Sequence, residues 1–344
     1  RHQAADGRWA AADFDRCCTG ALCSGHGDPG NDVGLTSLAL LAFLGAGYTP
    51  RSAATWTDPV TGRRVRPGEV VRNGLRWLLD GQDREGFFAP RGLQIYNHSL
   101  ATMAVCEARG LSGATLFEAP ARRGLEALVQ AQNPYKAWRY FDRCGDNDTS
   151  NTGFAMMAFH SASLSGLHVP QSSLDWVRGY LDEVTDPYGP VGYMRRGDAG
   201  AVQYRRTEDW KLHRSMTGVG VMCRVFLDGG PKHGSVAPGV ALLAADPPAW
   251  APQAVDSYYW YYGTLAMFLA TDPESGTWRR WNEAMVAAVV PHQRGRGDGC
   301  REGSWDPEPD RIAMEGAGRV YMTAINVLTL QVYYRYPRAF GVRK

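Results

Sequence analysis

The stretch "TGFAMM" (Thr152–Met157) opens a long apolar segment, and five similar segments occur elsewhere in the chain. They begin at Thr36, Ala101, Thr217, Gly263 and Thr323. Each reads small, small, apolar, small, and then two residues that are mostly apolar. A helix that is apolar nearly all round is a buried helix. The repeat therefore predicts six inner helices, whose small residues let neighbouring helices approach closely.

Amphipathic segments lie between these apolar ones. In "EVVRNGLRWLLDGQ", residues 69–82, Val70, Leu75 and Leu78 lie on one helical stripe and the charged residues lie elsewhere. Similar segments begin at Ala121, Ser172 and Trp278, with a weaker one at Ser235. Alternating inner and outer helices predict a closed ring of helix pairs. The predicted fold is all-α, an α/α toroid of about six helix hairpins that forms one domain over residues 1–344.

A second piece recurs in which Gln is followed by a short turn and an aromatic residue. It appears as "QAADGRW" from Gln3, "QDREGFF" from Gln82 and "QNPYKAW" from Gln132, with a longer version from Gln293. We expect Gly or Ala to take the tight turn, the aromatic ring to pack back, and the Gln side chain to tie the loop to the next hairpin. Because this piece ends an outer helix, we expect a first outer helix ahead of Gln3.

These two repeats resemble those of known proteins. The Gln-x-x-x-Gly-x-Trp piece resembles the QW motif of squalene–hopene and oxidosqualene cyclases. The inner segments resemble the prenyltransferase/squalene oxidase repeat, which protein prenyltransferase β subunits share, and the chain is similar throughout to bacterial proteins with this repeat. The resemblance implies a toroid whose central cavity binds, and cyclises or isomerises, an apolar polyisoprenoid.

In such a ring the N-terminal ends of the inner helices gather at one mouth, where unpaired N–H groups carry partial positive charge. The residues four positions before each repeat are Asp32, Asn97, Asp148, His213, Tyr259 and Arg319. The residues beside them that we expect to face the same pocket are His98, Tyr258, Trp260 and Tyr321. Two other roles remain open, namely helix capping by the carboxylates and Asn97, and a buried ion pair between Asp148 and Arg319.

The text "GDNDTS" (Gly145–Ser150) resembles the D-x-D-D-T motif of class II terpenoid cyclases. The match places Asn147 where those enzymes carry the proton-donating Asp, while a shift by one residue leaves Asp146 and Asp148 as a D-x-D pair. We assign Asp148 as the acid or its partner, and we expect His213 and Arg319 to set its charge. The residues expected to line the cavity are Tyr258, Tyr259, Trp260 and Tyr321.

Two other functions fit the same residues. A non-catalytic toroid that recognises a ligand or a protein, as a module of a longer chain, needs only the pocket. A polysaccharide lyase or hydrolase would use Asn97 or Arg319 to neutralise a carboxylate and His98 or Tyr259 to move the proton. This second alternative rests on analogy between α/α barrels, and fold alone does not imply function.

Cysteines and histidines form two weak metal candidates. The first, "CCTGALCSGH", contains Cys17, Cys18, Cys23 and His26. Three states of these side chains remain open, namely a zinc site, a disulfide from Cys23 to Cys17 or Cys18, and free thiols. Asp298-Gly-Cys300 resembles the zinc pair of prenyltransferase β subunits, but Met322 stands where their later His is expected. We assign no metal and no cofactor.

Composition excludes several classes of function. The net charge is +2, which does not favour nucleic-acid binding. No run of 18 apolar residues occurs, so the sequence predicts no membrane span. The text has neither a P-loop nor a dinucleotide fingerprint in a strand–helix context. The partner that the sequence favours is an apolar small molecule; it indicates neither a protein partner nor a cellular compartment.

Overall fold

The computed structural model describes residues 1–18, 20–89, 94–198, 214–251, 255–308, 310 and 313–339. Within these ranges it contains twelve α-helices and one short hairpin, β1 (Trp56–Thr57) with β2 (Arg64–Val65). The inner helices are α1 (Asp32–Gly45), α3 (Gln94–Ser112), α5 (Thr149–Leu164), α7 (Ser215–Asp228), α9 (Ser257–Ala270) and α11 (Gly318–Leu330). The others are α2 (Pro67–Asp80), α4 (Glu118–Ala131), α6 (Gln171–Val184), α8 (Val236–Ala244), α10 (Gly276–Val289) and α12 (Val332–Ala339).

The inner helices form a closed ring. Contacts run from α1 to α3, α5, α7, α9 and α11 in turn, and α11 packs back on α1. Each of the six repeated segments lies in one inner helix, as predicted, and α5 is buried continuously from Thr149 to Phe159. The predicted all-α toroid is confirmed.

The predicted amphipathic segments form the outer layer. They are α2, α4, α6, α8 and α10. Helices α2, α4, α8 and α10 each pack on the inner helix that precedes them, whereas α6 packs mainly on α7, the inner helix that follows it. Ahead of α1, the described residues form only two short 3-10 turns, Phe14–Cys17 and Pro29–Asn31. Helix α12 contacts α1, α3, α9 and α11, so it lies across the end of the ring instead of continuing the outer layer. None of the described helices is both long and apolar enough to cross a bilayer.

The glutamine side chains connect successive hairpins, as the recurring Gln piece predicts. Nε2 of Gln132 donates to the carbonyl of Lys136 at 3.0 Å and to that of Ser173, at the start of α6, at 3.1 Å. Gln82 binds Gly86 and Pro120 in the same way, and Gln3 binds Gly7 and Val70. One amide thus fixes both its own turn and the next outer helix, which sets the spacing of the hairpins.

Candidate ligand site at the mouth of the ring

Asp148 lies at the N-terminal end of α5 and caps it. Its Oδ1 accepts a hydrogen bond from the Asn151 backbone N–H at 2.7 Å, and its Oδ2 accepts one from Asn151 Nδ2 at 2.9 Å. The side chain is fully buried, and Nε of Arg139 lies 3.8 Å from Oδ2. Burial raises the pKa of Asp148 to about 6, although the bonds from Asn151 and the charge of Arg139 oppose that rise. The carboxyl can therefore exchange a proton near neutral pH.

Tyrosine hydroxyls surround this end of α5. Tyr96 of α3 is hydrogen-bonded to Ser150, and the hydroxyl of Tyr258 donates to Ser150 Oγ at 3.0 Å. The hydroxyls of Tyr140 and Tyr193 lie 2.8 Å apart, and the ring of Tyr140 stacks on Tyr96 at 6.3 Å between centroids. Burial, followed by the charge of Asp148, raises the pKa of the Tyr193 hydroxyl. The residues that we call the Asp148 site are Asp148, Arg139, Tyr96, Tyr140 and Tyr193.

Aromatic rings fill the ring interior next to this site. Phe154 of α5 lies 4.7 Å from Tyr96 and 5.5 Å from Tyr262 of α9, measured between ring centroids. Tyr258 and Tyr262 are 4.8 Å apart. Because α7 separates α5 from α9 in the ring, the contact between Phe154 and Tyr262 reaches across the interior. The Asp148 site therefore combines a partly exposed polar rim with a buried aromatic base.

Two predicted mouth residues hold the N-terminal segment. Asp32 accepts a hydrogen bond from the Ala11 N–H at 2.7 Å and lies 3.4 Å from Nε of Arg8, while burial raises its pKa. Nδ2 of Asn97 donates to the Gly30 carbonyl at 2.9 Å. Both side chains thus contact residues that precede α1. The predicted site residue His213 lies outside the described residues.

Other predicted site residues contact the outer layer or the loops. The hydroxyl of Tyr259 donates to the Asp246 carbonyl at 2.6 Å, and Trp260 packs on Trp250. His98 accepts from the Phe88 N–H at 3.3 Å through Nδ1, its Nε2 lies 2.9 Å from the Gly124 carbonyl, and burial lowers its pKa to about 4. Tyr321 is buried near the start of α11.

Arg319 does not contact Asp148. Its guanidinium pairs with Asp306 at 2.5 Å and donates to the Ser24 carbonyl at 2.8 Å. Asp148 and Arg319 therefore do not form the ion pair that the sequence left open. The reason is the order of the helices in the ring, where α5 and α11 lie three positions apart on opposite sides. The cation beside Asp148 is Arg139, which sequence reasoning missed.

Asp146 and Asn147 face away from the interior. The side chain of Asp146 is 65% exposed and pairs with Arg139 at 3.0 Å. Oδ1 of Asn147 accepts from the Ala137 N–H at 2.9 Å and so belongs to the turn before α5. The D-x-D pair expected at the mouth therefore contributes one buried carboxyl, that of Asp148.

The sequence carried a signal for the residues that were missed. Arg139 and Tyr140 follow Trp138, the aromatic residue that ends the Gln132 piece. Tyr193 comes two residues after Val191, and Val191 takes the same position after the turn at Gly189 that Trp138 takes after its own turn. Each turn leads the chain back towards the N-terminus of the next inner helix. The one or two residues after the packed side chain are therefore the ones that reach the mouth.

Cysteine and histidine side chains converge at a separate place. Nε2 of His2 lies 3.5 Å from Sγ of Cys18, 3.5 Å from Sγ of Cys23 and 3.2 Å from Sγ of Cys300. Burial, with Cys18 and Cys300 close by, raises the pKa of Cys23 to about 12. Cys17 and His26 lie outside this group, because Cys17 contacts the Gln3 carbonyl and His26 pairs with Asp15. Cys17, Cys18 and Cys23 form no disulfide.

A cavity of about 780 Å³ lies outside the ring, between α1 and α11. Residues that line it include Ala39, Phe43, Trp56, Val70, Val320 and Val327. It does not include the Asp148 site.

Comparison with known proteins supports the fold. No protein-family model matches the sequence, and no curated protein matches it. The structure is similar to an inactive variant of the α-1,6-mannanase GH76A of Salegentibacter sp. HEL1_6 in complex with α-1,6-mannotriose. That match has a TM-score of 0.62 and 11% identity, and it covers 96% of this chain and 94% of the mannanase.

Two further solved structures show the same architecture. An α-amylase from Clostridium perfringens matches with a TM-score of 0.59 and 10% identity over 97% of this chain and 94% of its own. A variant of the type II terpene cyclase MstE from Scytonema matches with a TM-score of 0.58 and 13% identity over 96% and 92%. The chain therefore has the α/α toroid fold that these glycoside-acting and terpene-cyclising enzymes share.

Proposed function

We propose that this toroid is an enzyme that binds an oligosaccharide at the mouth of the ring and transfers a proton through Asp148. The observation that carries the proposal is a buried carboxyl with a pKa of about 6 beside partly exposed tyrosines. A carboxyl acid or base is most effective when its pKa lies near the working pH. The Asp148 site meets that condition.

The groups around Asp148 suit a sugar. Tyr140 and Tyr193 offer hydroxyls that donate and accept hydrogen bonds, and their rings offer apolar faces. Arg139 is 26% exposed and holds its guanidinium between Asp146 and Asp148, where it favours the carboxylate after the proton has left. Of the similar structures, the mannanase, the amylase and a cellobiose 2-epimerase from Bacillus thermoamylovorans are named for carbohydrates.

The test compares two aspartates that share Arg139. The protein is incubated with α-1,6-manno-oligosaccharides, malto-oligosaccharides and cellobiose, and the products are separated by anion-exchange chromatography. We expect Asp148→Asn to lower the turnover of the active substrate by about 10²-fold or more. Asp146→Asn, at the exposed partner of Arg139, should keep most of the activity. Equal turnover by wild type and Asp148→Asn would exclude Asp148 as the proton donor.

A polyisoprenoid is the second candidate ligand. The aromatic contacts of Phe154 with Tyr96 and Tyr262 favour it, because aromatic faces stabilise carbocations. The repeat resemblance to squalene–hopene cyclases and the structural similarity to MstE support the same reading. Asp148 would then protonate an alkene. Incubation with squalene and prenyl diphosphates, followed by mass spectrometry, separates the two, since a cyclised product would displace the sugar proposal.

A recognition toroid without catalysis remains the third reading. Calorimetric titration with the same sugars and with a soluble prenyl analogue distinguishes it from both enzymes. Binding without turnover, unchanged in Asp148→Asn, would favour recognition.

A further inference from the structure

We propose that His2, Cys18, Cys23 and Cys300 form a structural zinc site, which we call the Cys3His cluster. Their four ligand atoms all lie within 4.8 Å of one another. This cluster is separate from the Asp148 site, and the inference does not depend on the proposed function.

The distances fit one tetrahedral ion. With Zn–S bonds of about 2.3 Å and Zn–N bonds of about 2.0 Å, tetrahedral geometry places N and S about 3.5 Å apart and two S atoms about 3.8 Å apart. Nε2 of His2 lies 3.2–3.5 Å from the three sulfur atoms. An ion at the centre would thus bind all four with only small movements. An iron–sulfur cluster needs more widely separated ligands, because its cysteines bind different irons.

The donor set favours zinc over other divalent ions. Three thiolates and one imidazole are soft or borderline ligands, which Mg²⁺ and Ca²⁺ do not select. Four protein ligands complete a tetrahedron and leave no open position for a substrate. The site is therefore structural and not catalytic.

The ligands come from segments that are far apart in sequence. His2, Cys18 and Cys23 precede α1, whereas Cys300 lies in the 3-10 turn Gly299–Arg301 between α10 and α11. The adjoining segment already packs on the start of α11, since the Arg319 N–H donates to the Gly25 carbonyl at 2.7 Å. A bound ion would fasten the described residues ahead of α1, which form no α-helix, to the side of the ring beside the outer cavity.

His2 is held in place by packing. Its ring meets Phe14 edge-on at 5.5 Å between centroids, and Phe14 is buried. Cys23 is buried and Cys18 is partly buried, so the cluster is screened from bulk water on several sides. The contact with Phe14 thus restricts the orientation of the imidazole ring.

Metal content is the first test. The protein, produced in zinc-supplemented medium and passed through a desalting column with EDTA, is analysed by plasma mass spectrometry for zinc and iron. We expect one zinc ion per chain, and X-ray absorption at the zinc edge should show three sulfur neighbours and one nitrogen neighbour. Iron in place of zinc would overturn the proposal, as would a chain that stays metal-free after addition of ZnCl2.

Variants identify the ligands. Cys300→Ser and Cys18→Ser should lose more than about nine-tenths of the zinc, because a structural site needs its full ligand set. Cys17→Ser, beside the cluster, and Cys144→Ser, at an exposed site, are the matched controls and should keep one zinc ion. Retention of zinc by Cys300→Ser, or its loss from Cys17→Ser, would contradict the assignment.

Cobalt covers the case in which a ligand variant does not fold. Co²⁺ replaces zinc in the unsubstituted protein, and its visible spectrum reports coordination directly. We expect the intense d–d bands of tetrahedral cobalt together with sulfur-to-cobalt charge transfer. The weak spectrum of octahedral cobalt would contradict a Cys3His site.

Discussion

Oε1 of Glu107 accepts a hydrogen bond of 2.7 Å from Nη2 of Arg335, and both side chains are almost fully buried. Glu107 belongs to α3 and Arg335 to α12, and Nη1 of Arg335 also donates to the Leu41 carbonyl of α1. This ion pair fixes α12 across the end of the ring. Burial raises the pKa of Glu107 while Arg335 lowers it, so the carboxylate depends on its partner.

Removal of Arg335 should destabilise the fold strongly. Arg335→Ala leaves a buried carboxylate without its cation, and we expect the free energy of unfolding to fall by about 3–5 kcal/mol. Urea denaturation followed by circular dichroism measures the change. Arg279→Ala, which breaks the exposed pair with Glu274, is the control and should cost less than about 1 kcal/mol. Equal effects of the two substitutions would contradict the structural role of Arg335.

The glutamine connections predict a second contrast. Gln132 is buried and its amide donates two hydrogen bonds, whereas Gln293 is exposed and donates one, to the Gly303 carbonyl. We expect Gln132→Ala to lower the free energy of unfolding by about 2–3 kcal/mol and Gln293→Ala by less than about 1 kcal/mol. Paired thermal and urea denaturation would test the ranking, and a larger effect at Gln293 would refute it.

The turn glycine Gly86 should resist substitution. Its φ is +96°, and a Cβ at this position would lie 2.5 Å from the Arg123 carbonyl oxygen of α4. Gly86→Ala therefore combines backbone strain with a clash, and we expect it to cost more than about 2 kcal/mol. Gly145, with φ of +83° and open space around it, is the control and should cost about 1 kcal/mol. Comparable melting temperatures for both variants would count against the close packing of the turn on α4.

Asp148 predicts a pH dependence of stability. Its pKa rises from the ordinary value of 3.8 to about 6 in the folded state, so the folded chain keeps a proton that the unfolded chain releases. The stabilising contribution is complete below pH of about 4 and is lost, by about 3 kcal/mol, as the pH rises through 6.

The variant Asp148→Asn isolates this effect. Asn keeps a capping oxygen but does not titrate. We expect the stability of Asp148→Asn relative to wild type to increase between pH 4 and pH of about 7.5, measured by urea denaturation at both values. A stability difference that does not change with pH would show that Asp148 does not carry the raised pKa.

The sequence predicted the frame of the molecule correctly. The segments that begin at Thr152 and Gly263 could be recognised as inner helices because the sequence of a buried helix is apolar on nearly all sides. Gln82 and Gln132 act locally, and the turn that each fixes can be recognised within seven residues. The extent of a single domain over residues 1–344 stays a prediction.

Side chains that meet through ring closure could not be predicted in this way. Five of the six predicted mouth positions lie at the start of an inner helix, and the sixth, His213, lies outside the described residues. Nevertheless, Arg319 pairs with Asp306, Tyr259 contacts the outer layer, and the cation beside Asp148 is Arg139. Which side of a helix start faces the interior depends on how each hairpin is rotated, and the repeat pattern does not record that rotation.

Helical periodicity is a local property, so the amino-acid sequence by itself determined the six inner helices, the outer layer and the turns between them. Tertiary structure alone brought Arg335 to Glu107 and His2 to Cys300, which are 298 residues apart. Closure of the ring brings the first and last hairpins together. The residue spacing within one repeat cannot predict such a contact, because the contact forms only when the last hairpin packs against the first.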